Sequence, residues 1–271
     1  DILTPAEIKK CVPTININPN IRYPVMGGFL QKRGGTARHD AVAWGYARAA
    51  DDLGVDIIQN CEVSGIRRNG NKITGIETSK GFIKTPKVGC VVAGHSSIVA
   101  DMANIRLPIA SRPLQALVSE PIKPILDTVV MSNAVHMYIS QSDKGEIVLG
   151  AGVDKYNSYA QTGSWPVPEH MAAAAVDLFP FLSRLRMLRQ WGGIVDTCPD
   201  ASPIISKTAI NGLYFNCGWG TGGFKSTPGS GHVFADLIAH DRPNSIALPY
   251  GLKRFETGYL IDEHGAAGVA H

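Results

Sequence analysis

The spacing of apolar residues predicts a helix over Asp40–Leu53, where Ala41, Trp44, Ala47 and Arg48 recur at helical spacing and Gly54 ends the run. Val55–Val63 follows as an apolar, β-branched run and predicts a buried strand. Ser64–Arg68 and Lys72–Thr78 alternate on either side of Asn69-Gly70-Asn71, the pattern of a hairpin, and Lys80-Gly81 marks a second turn. Val88–Ala93 predicts another short buried strand, closed by Gly94, with Ser96-Ser97 placed to cap a helix. After Pro108 the pattern lengthens into alternating strands at Gln115–Ser119, His136–Gln141 and Glu146–Gly150, with Asp143-Lys144-Gly145 as a hairpin turn. That texture predicts an antiparallel sheet, with Pro168–Leu182 as a helix lying on it. Trp191–Asp196 returns the chain to a strand–loop–helix pattern over Leu213–His240. The predicted fold class is therefore α/β with α+β: an α/β unit interrupted by a mostly antiparallel one.

The loop in that last pattern, Cys217–Gly231, carries most of the chemistry. Six of its fifteen residues are glycine and its only charge is Lys225. Glycine lets backbone come close to a flat ligand. Ser226 and Thr227 are placed to cap a helix over His232–His240, and Pro228 suits its first turn. The loop would then aim a helix N-terminus and one ammonium at one point, which suits an anion or an electron-rich ring. An ordinary glycine-rich connection with a solvated lysine gives the same residues.

Composition narrows the class. The chain has 271 residues, 44% hydrophobic, with a net charge of +3 and no basic block, which points away from nucleic acid and anionic membranes. No apolar run reaches the ~18 residues of a membrane span. The five cysteines, Cys11, Cys61, Cys90, Cys198 and Cys217, are odd in number and never form a C-x-x-C pair. Most of them read as small buried hydrophobes and the compartment as a reducing cytoplasm, without a disulfide framework or a zinc ribbon. His95 and His136 have no metal-ligand spacing and read as structural. Tyr138, Tyr156 and Tyr159 fall in the antiparallel unit, where they line a pocket or simply pack. His39, directly before the first helix with Asp40 as its cap, reads by spacing alone as a surface or capping histidine; a neutral ring at a helix N-terminus is also a nucleophile. Thr197–Pro203 reads as a proline-rich turn.

The Cys217–Gly231 loop resembles the C-terminal flavin loop of the D-amino-acid-oxidase-like FAD-dependent amine oxidases. Ala37–Trp44, Trp191–Asp196 and the tail Leu260–His271 narrow the resemblance to the beta subunits of heterotetrameric sarcosine oxidases, over essentially the whole chain. The resemblance implies an FAD-binding Rossmann-like domain, here incomplete, interleaved with a substrate domain. Residues 1–33 and 108–195 would belong to the substrate domain, 34–107 and 196–247 to the FAD-binding domain, and 248–271 to a C-terminal tail. It implies that Gly220, Gly222, Gly223, Phe224 and Lys225 meet the flavin of a noncovalent FAD. Lys225 would bind the substrate carboxylate, with Thr221 beside it. Val63 would meet the adenine through its backbone, Gly94 would approach the FAD, and Thr197–Pro203 would run past the flavin. It implies FMN bonded covalently to His39, with Arg38 adjacent to the anionic flavin.

The implied reaction is oxidative demethylation of sarcosine to glycine and formaldehyde. Electrons would pass from FAD to FMN and then to oxygen, giving hydrogen peroxide. The implied partners are alpha, gamma and delta subunits, with tetrahydrofolate capturing formaldehyde on another subunit. Two alternatives stand beside this reading. One is an FAD-dependent oxidase or dehydrogenase of another N-methyl or cyclic amino acid; the other is a non-catalytic scaffold subunit. A glycine fingerprint directly after a first strand, which holds the dinucleotide in this class, is not found, and Gly27-Gly28 and Gly34-Gly35 lack its spacing. The expectation is a C-terminal portion of a longer polypeptide, in which residues 1–271 alone expose strand edges and bind no FAD.

Overall fold

The computed structural model describes residues 1–261. The elements begin with β1 (Ile2–Leu3), α1 (Pro5–Cys11), β2 (Gly28–Phe29), α2 (His39–Asp52), β3 (Val63–Asn69), β4 (Lys72–Thr78), β5 (Gly81–Lys84), β6 (Val88–Cys90) and α3 (Ser96–Asp101). They continue with β7 (Ala110–Pro121), β8 (Val130–Ser132), β9 (Met137–Gln141), β10 (Glu146–Val153), α4 (Pro166–Leu178), β11 (Met187–Thr197), β12 (Ile204–Lys207), β13 (Leu213–Cys217), α5 (Gly223–His240) and α6 (Lys253–Thr257). Two compact units result. The first takes Asp1–Cys61, Ala116–Gly152 and Pro168–Gln190; the second takes Glu62–Gln115, Val153–Val167 and the chain from Trp191.

In the first unit, the parts of five strands that fall within it are ordered β11-β7-β10-β9-β8. β9 pairs antiparallel with β10 (Ile139 opposite Leu149), as the alternation predicts, and also with β8 (Ile139 opposite Val130), a strand the sequence pattern did not mark. Met137 and Ile139, like Ile147 and Leu149, are buried at two-residue intervals, which fixes the register because a one-residue slip would expose all of them. α4 buries Met171, Ala174, Ala175 and Leu178 on one face. Its carboxyl end is closed by Asn16, whose amide N–H donates to the Leu178 carbonyl at 2.7 Å and whose Nδ2 donates to the Asp177 carbonyl at 3.0 Å. α2 has the predicted length but buries no residue, and Trp44 and Tyr46 are exposed.

In the second unit, β3, β4 and β5 form an antiparallel meander in which Asn69 pairs with Lys72 across a two-residue turn, with Gly70 at φ 58°. A second sheet is ordered β12-β13-β6, with β13 parallel to β6 and antiparallel to β12. Every residue of β13 is buried. Leu213, Phe215 and Cys217 join one apolar cluster with Ala100, Ala103, Leu107 and Ile204. Tyr214 faces the other cluster, with Val233, Phe234 and Leu237 of α5. A strand apolar on both faces needs cover on both, and each large side chain buried this way stabilises by roughly 1.5–3 kcal/mol.

Three local expectations are corrected. Val55–Cys61 is not a strand: it pairs with no described strand, and Val55, Ile57 and Ile58 are about half exposed. Apolar content alone makes no ladder without a neighbouring edge. β6 stops at Cys90, because Ala93 turns to φ 44° and Ala93–His95 forms a 3-10 turn; Ser96 is then the first residue of α3 and not its cap. α5 begins at Gly223, well before His232, so Ser226, Thr227 and Pro228 lie inside it.

Candidate functional site

The site sits where two adjacent parallel strands end. Phe215 of β13 is in register with Cys90 of β6. The glycine-rich turn leaves β13 at Gly218, and Gly94 lies four residues beyond Cys90, so both follow the carboxyl ends of neighbouring strands. That is where ligands bind in open α/β sheets. The end of β11 supplies the third wall. Ile194 packs so closely on Gly94 that a Cβ there would lie 2.4 Å from Ile194 Cγ2, and Thr197 bridges to Trp219. The glycine at 94 is thus required by a chain crossing. Ser111 Oγ also donates to its carbonyl at 2.7 Å.

Asp196, on the same strand end, is 3% exposed. Its Oδ2 accepts the N–H of Gly218, and its carbonyl accepts the N–H of Gly220 at 2.8 Å. Burial pushes the Asp196 carboxyl above its ordinary value, against the opposing pull of the backbone amides of Gly218, Asp196 itself, Trp219 and Gly220. Trp219 is pinned by its indole N–H, which donates to Asn216 Oδ1 at 2.6 Å. Gly218 (φ 74°) and Gly220 (φ 52°) both take the left-handed conformation that glycine allows without strain. Neither Asp196 nor Asn216 was singled out by the sequence reading. The visible signal was an acid near the end of an apolar strand, three residues before a proline.

The turn also holds a spacing that the sequence reading missed. Gly218-Trp-Gly220-Thr-Gly222-Gly223 has the literal G-x-G-x-x-G pattern, and it stands between a strand and a helix. Gly222 is the N-cap of α5, no side chain caps the helix, and its first turn holds no acidic residue. Lys225 is the third residue of α5 and is exposed, as are Thr221 and Phe224. Among the described residues no carboxylate pairs with Lys225. Gly220, Thr221, Gly222, Gly223, Phe224 and Lys225 are therefore gathered on one turn. Ser226 and Thr227 do not cap; their hydroxyls donate back to the carbonyls of Gly222 and Gly223 at 3.2 and 3.3 Å.

The remaining predicted residues belong to other elements. Val63 opens β3, half-buried and paired with Thr78. His39 and Arg38 are in the first unit, both exposed. His39 is the first residue of α2, and Arg38 is its N-cap position. Asp40 does not cap either: its Oδ1 accepts from Ala41 N–H at 2.9 Å, and that bond holds its carboxyl below the ordinary value. Arg38 Nη1 lies 3.5 Å from Asp143 Oδ2, an exposed pair. In the Thr197–Pro203 segment, Asp200 forms a buried ion pair with Arg254 at 2.7 Å. The tail expected over Leu260–His271 lies, beyond Ile261, outside the described residues.

A cleft of 1570 Å³ in the second unit is lined by Ser97, Arg106, Arg112, Thr197, Lys207 and Phe255, among others. Ser97 Oγ and Arg112 Nε, both on its wall, are buried without a hydrogen-bond partner. Two orphaned polar groups, one of them cationic, suit an anionic dinucleotide, and the uncapped amides of α5 with Lys225 suit an electron-rich ring. None of Gly218–Lys225 lines the cleft, so the two places match FAD in chemistry separately: the cleft an anionic portion, the turn a ring. Among the described residues no His, Cys, Asp and Glu group could hold a metal ion, and no helix is long and apolar enough to cross a membrane. Cys90, Cys198 and Cys217 are buried thiols, while Cys11 is exposed and Cys61 intermediate.

A bare-backbone turn and an uncapped helix start at the carboxyl ends of parallel strands define a flavin- or nucleotide-handling α/β protein. The chain belongs to the family described as FAD dependent oxidoreductase (DAO), which matches residues 1–237. It is 58% identical over 269 residues to sarcosine oxidase subunit beta of Arthrobacter sp., covering 99% of this chain and 66% of that protein. It is 57% identical over 269 residues to sarcosine oxidase subunit beta of Rhodobacter capsulatus, covering 99% of this chain and 64% of that one. The chain thus spans less than two thirds of the length of these relatives. Among solved structures, L-proline dehydrogenase from P. horikoshii superposes with a TM-score of 0.88 at 28% identity, covering 96% of this chain and 70% of that one.

Proposed function

We propose that this polypeptide is the beta subunit of a heterotetrameric sarcosine oxidase and oxidatively demethylates sarcosine to glycine, formaldehyde and hydrogen peroxide. The observation that carries the reading is the placement of Lys225 in the first turn of an uncapped helix, beside a glycine turn, in a chain 58% identical to a sarcosine oxidase subunit beta. FAD, bound noncovalently, supplies the two-electron acceptor for the amine. The chain's own residues bind and orient. The Lys225 ammonium holds the substrate carboxylate, with Thr221 beside it. The amides of Gly223, Phe224 and Lys225 at the start of α5 would stabilise negative charge on a ring held there. Gly220, Gly222, Gly223 and Phe224 would hold the flavin, the glycines through bare backbone, and Gly94 and Val63 would hold the rest of the dinucleotide. His39 bears FMN through a ring nitrogen, with Arg38 next to it. The partners are alpha, gamma and delta subunits in the cytoplasm, with oxygen as final acceptor and tetrahydrofolate taking up formaldehyde on another subunit.

The test is anaerobic addition of sarcosine to the assembled enzyme. Bleaching of the flavin absorption with one glycine and one formaldehyde formed per flavin reduced supports the reading. A coloured protein that sarcosine leaves unchanged refutes it, and a colourless one points to a scaffold. The likeness to an L-proline dehydrogenase favours one second reading, a cyclic amino acid as substrate, because Lys225 fixes the carboxylate and not the N-substituent. Bleaching by proline and not by sarcosine would select it.

A further inference from the structure

A G-x-G-x-x-G turn ordinarily presents its amides to a phosphate at a helix N-terminus. In this chain those amides are already engaged. Gly218 N–H donates to Asp196 Oδ2, Gly220 N–H donates to the Asp196 carbonyl, and Gly222 N–H donates to the Trp219 carbonyl at 3.0 Å. We propose that Asp196 is the positioning residue of this turn: its buried carboxylate takes the place of an anionic ligand and so fixes where α5, and with it Lys225, begins.

Three further observations support the assignment. α5 has no side-chain cap, so nothing on the helix itself sets its starting point. The neighbouring carboxylate, Asp200, is committed to Arg254 and is not available to the turn. The turn is also closed against sliding: a Cβ at Gly218 would lie 2.4 Å from Cys198 Sγ, and Trp219 is tied to Asn216. A phosphate brought to the Gly218 amide would meet a like charge, so the turn is left to face a ring through bare backbone. The amides of Thr221, Gly223, Phe224 and Lys225 then have no described acceptor, and the last three open α5 beside the Lys225 ammonium. Only the consequence for Lys225 rests on the function proposed above; the holding of the turn does not.

The experiment compares the assembled enzyme with its Asp196→Ala and Asp196→Asn variants by two readouts. The first is amide hydrogen exchange over residues 217–222. Asp196→Ala should speed exchange there by about tenfold to a hundredfold, with the β3–β4 hairpin unchanged. Asp196→Asn keeps an acceptor oxygen but loses the charge and should restore most, not all, of the protection, leaving exchange about twofold to fivefold faster than in the wild type; that residual rise carries the test if the alanine variant does not fold. The second readout is affinity for acetate, a carboxylate probe, which should weaken with the same ranking of variants. Unchanged exchange over 217–222 in both variants would overturn the proposal. So would a loss spread evenly over the protein. Faster exchange at the turn with unchanged acetate affinity would uphold Asp196 as its holder and overturn the placement of Lys225 at the carboxylate.

Discussion

Replacing Arg254 with methionine is the sharpest perturbation of the second unit. The Arg254 and Asp200 side chains are 4% and 1% exposed. Nε and Nη2 of Arg254 meet the two Asp200 oxygens at 2.7 and 3.2 Å, a bidentate pair. Nη2 also donates to the Ser202 carbonyl at 2.8 Å, and Nη1 donates to the carbonyls of Tyr250 and Gly251 at 3.0 and 3.3 Å. Ile261 N–H adds a bond to Asp200 Oδ2 at 3.2 Å. One guanidinium thus joins the segment after β11 to the segment around α6. Arg254→Met fills the volume but strands a buried carboxylate and three carbonyls. Removing one partner of a buried pair costs about 3–5 kcal/mol, whereas replacing both partners by apolar groups is close to neutral. Urea unfolding of the intact protein should show that loss for Arg254→Met as a lower midpoint at unchanged slope. The double variant with Asp200→Leu should recover at least about 1 kcal/mol relative to additivity. A loss under about 1 kcal/mol, or strict additivity, would refute the reasoning. The pH dependence has a definite sign. Burial pushes the Asp200 carboxyl up, but its bonds to Arg254, Ile261 and Ser202 outweigh that and hold it below the ordinary value. Its contribution to stability is therefore present above the unfolded carboxylate value of ~3.9 and is lost as pH falls through the lower folded value.

Two other outcomes follow from the same structure. His39→Ala, made in the assembled enzyme, should lose the flavin that stays with acid-precipitated protein while keeping the flavin that acid releases; acid-stable colour in this variant would place the linkage elsewhere. Gly94→Ala forces a methyl to within 2.6 Å of the Ile194 carbonyl oxygen and should destabilise by about 1–3 kcal/mol in urea; an unchanged midpoint would mean the crossing with β11 is looser than described.

The parts of the fold that could be read from the sequence are those in which the local pattern and the tertiary partner agree. The Asn69–Asn71 hairpin has its turn residues and its alternation in one stretch, and β3 pairs with β4 accordingly. β9 and β10 alternate about Asp143–Gly145 and pair as expected. β13 reads as buried because both of its faces are apolar, and α5 and the Ala100–Leu107 cluster cover them. Val55–Cys61 is also rich in apolar β-formers, yet no described strand lies along its edge, and a strand is defined by its neighbour. The start of α5 was misread for a different reason. Gly229, Gly231 and Pro228 argue locally against helix, while packing of Val233, Phe234 and Leu237 on Tyr214 and Ile205 carries the helix back to Gly223. The loop residues of the site were legible because glycine content and a lone cation are local features. Asp196 was not, since its partner amides come 22 and 24 residues later in the chain and only the fold brings them together.

The central claim is that the turn at the end of β13 presents a flavin and a carboxylate-binding lysine together. A spectral titration of the assembled enzyme with acetate, in the wild type and in Lys225→Met, tests it directly. The account predicts that the variant keeps its full flavin content and binds acetate about tenfold to a hundredfold more weakly, the loss of one charge-assisted contact. Equal acetate affinity in the two proteins, at equal flavin content, would contradict it.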